Sequence, residues 1–209
     1  MAAAQWQESA GRLGVARGQA EGSRVSAIGR QCNECTLCCR LLPVKEFKKL
    51  ANQRCTHQRA KGCAVHERPD YPVSCRLWSC MWLTGADTEH LPRPDRAHYV
   101  IDPTPDFVEF GYSDGSLPVR LLVVQVWVDP KHPQAHEDPA LRAWLERRAQ
   151  RNEQAALIRY SGKDAFLLIP PALTRDGTWR VMHGTGTVEH TAREKLETVM
   201  AYQRRAAPL

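Results

Sequence analysis

The sequence predicts an α+β protein in which a cysteine-rich metal-binding module precedes a small α+β domain with a mixed sheet and two helices. Three observations predict it. All eight cysteines of the 209-residue chain fall between Cys32 and Cys80. The cysteine-free remainder alternates strand-like apolar runs with two stretches of helical periodicity. A content of 43% apolar and 25% charged residues is that of an ordinary globular chain, long enough to bury a core. No apolar run approaches the roughly 18 residues of a membrane span. The longest, Ala165–Ile169, stops at Pro170, so no membrane partnership is expected.

Residues 1–30 are rich in Ala, Gly, Arg, Ser and Gln, with isolated apolar residues and no continuous apolar h-region. This composition predicts a disordered tail without a secretory signal, hence a cytoplasmic protein. Residues 31–90 form the module. Its one helical candidate is 43–51, where Val44, Phe47, Leu50 and Ala51 recur at i, i+3, i+6 and i+7. The Pro-containing stretch 91–95 reads as a linker into the second domain, 91–209.

In that domain, strands are predicted at 97–102, 107–112 and 119–128, the last being the strongest. Asp138 can cap a helix whose first position suits Pro139, with Leu141, Trp144 and Leu145 on one side. Strands follow at 155–160 and 165–169, turned by Ser161-Gly162-Lys163-Asp164, and another at 178–182. A last helix over 191–204 places Ala192, Leu196, Val199 and Met200 on one face.

The informative text is Cys32-x2-Cys35-x2-Cys38-Cys39, followed by Cys55, Cys63, Cys75 and Cys80. A disulfide framework fits poorly, because disulfide scaffolds compensate for cores too small to fold alone. Metal ligation explains the spacing better: a tight Cys-x-x-Cys turn brings two sulfurs to the same side of the chain. The first three cysteines also match the start of a bacterial ferredoxin loop. The fourth ligand of that loop falls here on Leu42, before Pro43, so the match breaks. Adjacent Cys38 and Cys39 tend to diverge, which lets one ligate while the other serves a second site.

In these residues the chain resembles the bacterial YkgJ-like family of zinc- or iron-chelating CxxCxxCC proteins. The resemblance spans about residues 31–83. It rests on Cys32-x2-Cys35-x2-Cys38-Cys39, Cys55, the run from Gly62-Cys63 to Arg68-Pro69, and Cys75-Arg76. It implies a zinc or iron–sulfur site held by the cysteines and says little of biological role. Two departures stand out: His66 occupies a usual tyrosine position, and a short insertion separates Arg68-Pro69 from Cys75. Cys80 lies among apolar neighbours and reads either as a ligand or as a buried thiol.

Two metal assignments stay open. Eight thiolates suffice for two tetrahedral zinc sites, or four hold an iron–sulfur cluster while the others hold zinc or stay free. Arg40, Arg54 and Arg76 lie near the thiolates in sequence, as donors to sulfur or as solvated surface. His57 reads as a surface histidine before a ligand, and a cysteine nucleophile paired with His57 or His66 is the less economical reading. Downstream, His132, His136, Glu137 and Asp138 form a polar cluster with Asp129. Pro130, Pro133 and Pro139 make it read as an exposed loop rather than a site. Gly184-Thr185-Gly186-Thr187 reads as a tight turn rather than a phosphate loop. Arg147, Arg148 and Arg151 read as a solvated helix face.

The formal charge of +6 is concentrated in residues 31–85, which hold nine basic and four acidic side chains. Eight thiolates around two divalent ions carry about −4, which lowers the chain to about +2. The basic excess is then a counterweight to sulfur, and nucleic acid is not the expected partner. The sequence therefore predicts a thiolate metal-binding protein whose metal is structural and whose α+β region meets a protein partner. An iron–sulfur enzyme of redox or radical chemistry is the alternative, and a zinc-ribbon-like nucleic-acid binder the third reading.

Overall fold

A computed structural model describes residues 29–110 and 119–183. Residues 1–28 of the expected tail over 1–30, the strand end at 111–112, the turn at 184–187 and the helix over 191–204 lie outside the described residues, whereas Arg30 is bonded to the carbonyls of Trp82, Thr88 and Glu89.

Five strands form one mixed sheet in the order β1 (Tyr99–Phe110), β2 (Val119–Val128), β3 (Ala155–Arg159), β4 (Ala165–Ile169) and β5 (Arg180–Met182). The pair β2–β3 is parallel and the other neighbours are antiparallel. A parallel pair needs a long crossover, and the 14-residue helix Pro139–Asn152 supplies it. The expected start of that helix is present: Asp138 accepts from the amide of Ala140, and Pro139 occupies the first turn.

The strands expected at 97–102 and 107–112 are one strand. The β1–β2 register shifts between Asp102 and Asp106, where Pro103 and Pro105 bring no amide hydrogen to the ladder. β1 is an edge strand, which tolerates such an interruption.

Alternation along β2 assigns the two faces of the sheet. Val124, Val126 and Val128 join Ile101, Ala156, Ile158 and Leu168 against Leu141, Trp144 and Leu145 of the crossover helix. The opposite face carries Val100 and Trp127, and onto them the cysteine module packs Leu37, Leu41, Cys80 and Leu83. Helix, sheet and module thus form three layers, with the module held through its own apolar residues.

The module contains the short helices α1 (Leu37–Leu41), α2 (Val73–Leu77) and α3 (Met81–Thr84). The helix expected over 43–51 is only a single 3₁₀ turn, Lys45–Phe47. Lys48 adopts a left-handed conformation (φ +49°), and the chain doubles back so that Val44 bridges Lys49. The Lys49 ammonium is buried and donates to the carbonyls of Arg40, Leu42 and Leu50. Two carbonyls at the end of α1, with that of Leu50, are stronger partners for that residue than the solvent of a helix surface.

The expected linker is a packed joint. Leu91 is buried, its carbonyl accepts from the Trp82 indole at 3.1 Å, and Pro94 opens the four-residue helix α4 (Pro94–Ala97). The crossover helix is therefore α5.

Candidate metal centre

Local chain geometry presents each cysteine. The Cys35 amide donates to the Cys32 carbonyl at 2.8 Å across a turn in which Asn33 has φ +44°. Cys38 and Cys39 follow on α1, and their side chains are hydrogen-bonded to each other. The Cys55 amide donates to the Cys39 carbonyl at 3.2 Å, which sets Cys55 beside α1. A small turn returns Cys63 to the same place: Gln58 bridges Cys63, and the Arg59 amide donates to the Gly62 carbonyl at 3.0 Å. Gly62 stands there with φ +74°, a conformation that favours glycine.

Cys75 lies on α2. Glu46 holds that helix by accepting from the Ser74 amide at 2.8 Å and hydroxyl at 2.7 Å, a cap supplied from outside the helix. Cys80 precedes α3 and is buried, its carbonyl accepting from Leu83 and Thr84.

All eight cysteines are free thiols. Their electrostatic contacts sort them. Cys38 feels Cys39 most strongly and then Cys80 and Cys32, and Cys80 feels Cys32 and Cys35. Cys35, Cys38 and Cys80 also belong to one apolar cluster against the sheet. On the other side, Cys63 and Cys75 each feel Cys39 and Cys55. The result is one group of Cys32, Cys35, Cys38 and Cys80, and another of Cys39, Cys55, Cys63 and Cys75. The Cys38–Cys39 pair joins them. Among the described residues, no three of the sulfurs stand mutually within 4.8 Å.

The thiols differ in acidity for physical reasons. The hydrogen bond between the adjacent pair lowers Cys39 to about 7, with the charge of Lys49 helping, and pushes Cys38 well up. Burial drives Cys80 up to about 12 and also raises Cys35, Cys63 and Cys75. Ligation of a cation needs the thiolate form, so a metal bound here would displace protons that the fold otherwise retains on the raised thiols.

Of the three arginines near the thiolates in sequence, Arg40 pairs with Asp129, while Arg54 and Arg76 are exposed. Lys49 faces Cys55, Cys39, Cys38 and Cys75, and Arg93 lies within range of Cys35. Arg30 lies within range of Cys80, with its guanidinium 4.6 Å from the centre of the Trp82 ring and bonded to the carbonyls of Trp82, Thr88 and Glu89. Only folding brings these three side chains to the sulfur, and no local pattern announces any of them.

His57 packs on Phe47, with ring centroids 4.8 Å apart, and exposed His66 packs on Tyr71 at 5.2 Å. In the downstream polar cluster, His136 contacts Tyr160 and Phe166, and Asp138 caps α5. On α5, Arg148 pairs with Asp87 at 3.8 Å and Arg147 bonds to His90, so this basic face is partly turned onto the module.

No family model, no curated protein and no solved structure matches the chain.

Proposed function

We propose that the protein binds metal through its clustered thiolates, as two four-cysteine sites that share the edge of α1, and that the metal is structural. Cys32, Cys35, Cys38 and Cys80 form the site against the sheet. Cys39, Cys55, Cys63 and Cys75 form the outer one. The observation that carries this reading is the gathering of free thiols on two sides of α1, with Cys35, Cys38 and Cys80 in the cluster against the sheet and Cys55 and Cys63 returned beside Cys39 by backbone bonds. Four thiolates suit a tetrahedral zinc ion, and they equally suit an iron–sulfur cluster. The donor set alone does not divide these two.

A structural role fits the module's construction. Its helices are four or five residues long, too short to persist alone. Two sites would tie 32 to 80 and 39 to 75 across otherwise irregular chain, and metal binding is then part of its folding free energy. Membership of the YkgJ-like CxxCxxCC family and a cytoplasmic location belong to the same proposal. Among the described residues, no helix is long and apolar enough to cross a membrane.

Anaerobic metal analysis with an absorption spectrum tests the reading. Colourless protein with two zinc ions per chain, or coloured protein with iron and sulfide, supports it, and metal-free folded protein overturns it. Cys35→Ser and Cys63→Ser test the division, because each should remove one site's metal and retain the other's. Equal loss of both metals from both variants, with the sheet still folded, would refute it.

A further inference from the structure

The turn after β2 brings together three residues that the sequence holds 34 positions apart. His98 closes α4 in a left-handed conformation (φ +61°), and its carbonyl accepts from the Asp129 amide at 2.9 Å. The Asp129 carbonyl in turn accepts from the His132 amide at 2.8 Å. The two imidazoles stack nearly parallel, with ring centroids 3.6 Å apart and planes 10° apart. Because an imidazole nitrogen donates in the plane of its ring, the exposed His132 ring must turn out of this stack to share a cation with His98. One ligand atom from each of His98, Asp129 and His132 lies within 4.8 Å of the other two.

We propose that His98, Asp129 and His132 form a metal site of a different kind, for one first-row divalent cation such as zinc or iron(II). Two imidazoles and one carboxylate are the donor set that such cations take, and three protein ligands leave coordination positions open. The Asp129 carboxylate is buried, at 3% exposure. Arg40 of α1 donates to its Oδ2, and the Lys131 amide donates to its Oδ1 at 3.2 Å. These contacts orient the carboxylate as outer partners orient a metal ligand, and each oxygen keeps a further lone pair. His98 and His132 line a cleft of about 380 Å³ that Arg96, Lys131 and Gln134 also line. The cleft beside the two imidazoles thus carries two cationic side chains.

The site is independent of the thiolates: it contains no cysteine and needs none to be metallated. It shares with them only Arg40, which follows Cys39 in sequence and reaches Asp129 from α1.

Cobalt(II) added to the full chain as purified tests the proposal by proton NMR. Coordinated imidazole gives paramagnetically shifted N–H resonances, and an all-thiolate site cannot give them. Wild-type protein should show two such resonances and take up one cobalt beyond its purified metal content. His132→Ala, at an exposed position, should keep the circular dichroism spectrum and the purified metal content. It should bind this cobalt at least about 100-fold more weakly, the upper end of what loss of an outer partner alone costs. His98→Asn, which tolerates the left-handed backbone, and Asp129→Asn should do likewise. Absence of the shifted resonances in wild type, or their full retention in folded His132→Ala, overturns the site and leaves a structural histidine stack. Neither result bears on the thiolate metals, which are counted separately.

Discussion

Lys49→Met removes the ammonium group on which the end of α1 converges while keeping an unbranched apolar stem. Lys49 is 7% exposed and donates to the carbonyls of Arg40, Leu42 and Leu50. The Leu50 carbonyl also accepts from the Gln53 amide, so it retains a partner. The Arg40 and Leu42 carbonyls are left facing a thioether. An acceptor that loses its partner in the interior costs about 1–3 kcal/mol. Relief of the buried charge offsets part of the sum, which leaves a net loss of about 2–4 kcal/mol.

Urea unfolding followed by tryptophan fluorescence, with metal content matched between the proteins, reads this as a lower midpoint at constant slope. A loss below about 1 kcal/mol would mean that water satisfies these carbonyls, and the account of why 43–51 is not a helix would fall with it.

Three further outcomes are expected. Arg40→Met strands the nearly buried Asp129 carboxylate with only the Lys131 amide. Because the Arg40 side chain is 35% exposed, the loss should be about 2 kcal/mol rather than that of a fully buried pair, and unchanged urea stability would show that the pair contributes nothing. Trp144→Ala empties a position of zero exposure between α5 and the sheet; it should cost about 3–5 kcal/mol, and a loss under 2 would place α5 outside the cooperative core. Tyr99 is buried, and burial together with Asp138, which accepts from its hydroxyl at 2.9 Å, raises its phenol above the ordinary value. The neutral form is the one the fold favours, so this contribution is complete below about pH 10 and fades as pH rises further. Tyr99→Phe should flatten the alkaline fall in stability, and an identical alkaline profile would exclude Tyr99 as its source.

Periodicity and punctuation made much of the second domain legible. The apolar run in β2, the Asp138-Pro139 helix start and the turn between β3 and β4 are local signals, and all three appear where expected. The same kind of evidence failed inside the module. There the apolar spacing over 43–51 mimics a helix face, but a buried lysine bonded to distant carbonyls outweighs so short a helix. The 91–95 segment shows a related limit: prolines mark the end of one element and, equally, the first turn of the next.

The sequence by itself determined the chemistry available to this protein: eight thiols confined to 49 residues, spaced as metal ligands, ahead of a chain patterned for an α+β sheet. It also set Cys38 and Cys39 side by side, where neighbouring side chains tend to diverge. Which distant cysteines each of them faces was decided only by the tertiary structure, through the docking of Cys80 beneath α1 and the return of Cys55 and Cys63 to its outer side. The same is true of His98, which has no sequence relation to Asp129 and His132. Antiparallel pairing of β1 with β2 sets Tyr99 opposite Val128 and so delivers the preceding histidine to the turn that follows. Side-chain type is a local property, but convergence on a common point is a property of how strands and helices pack.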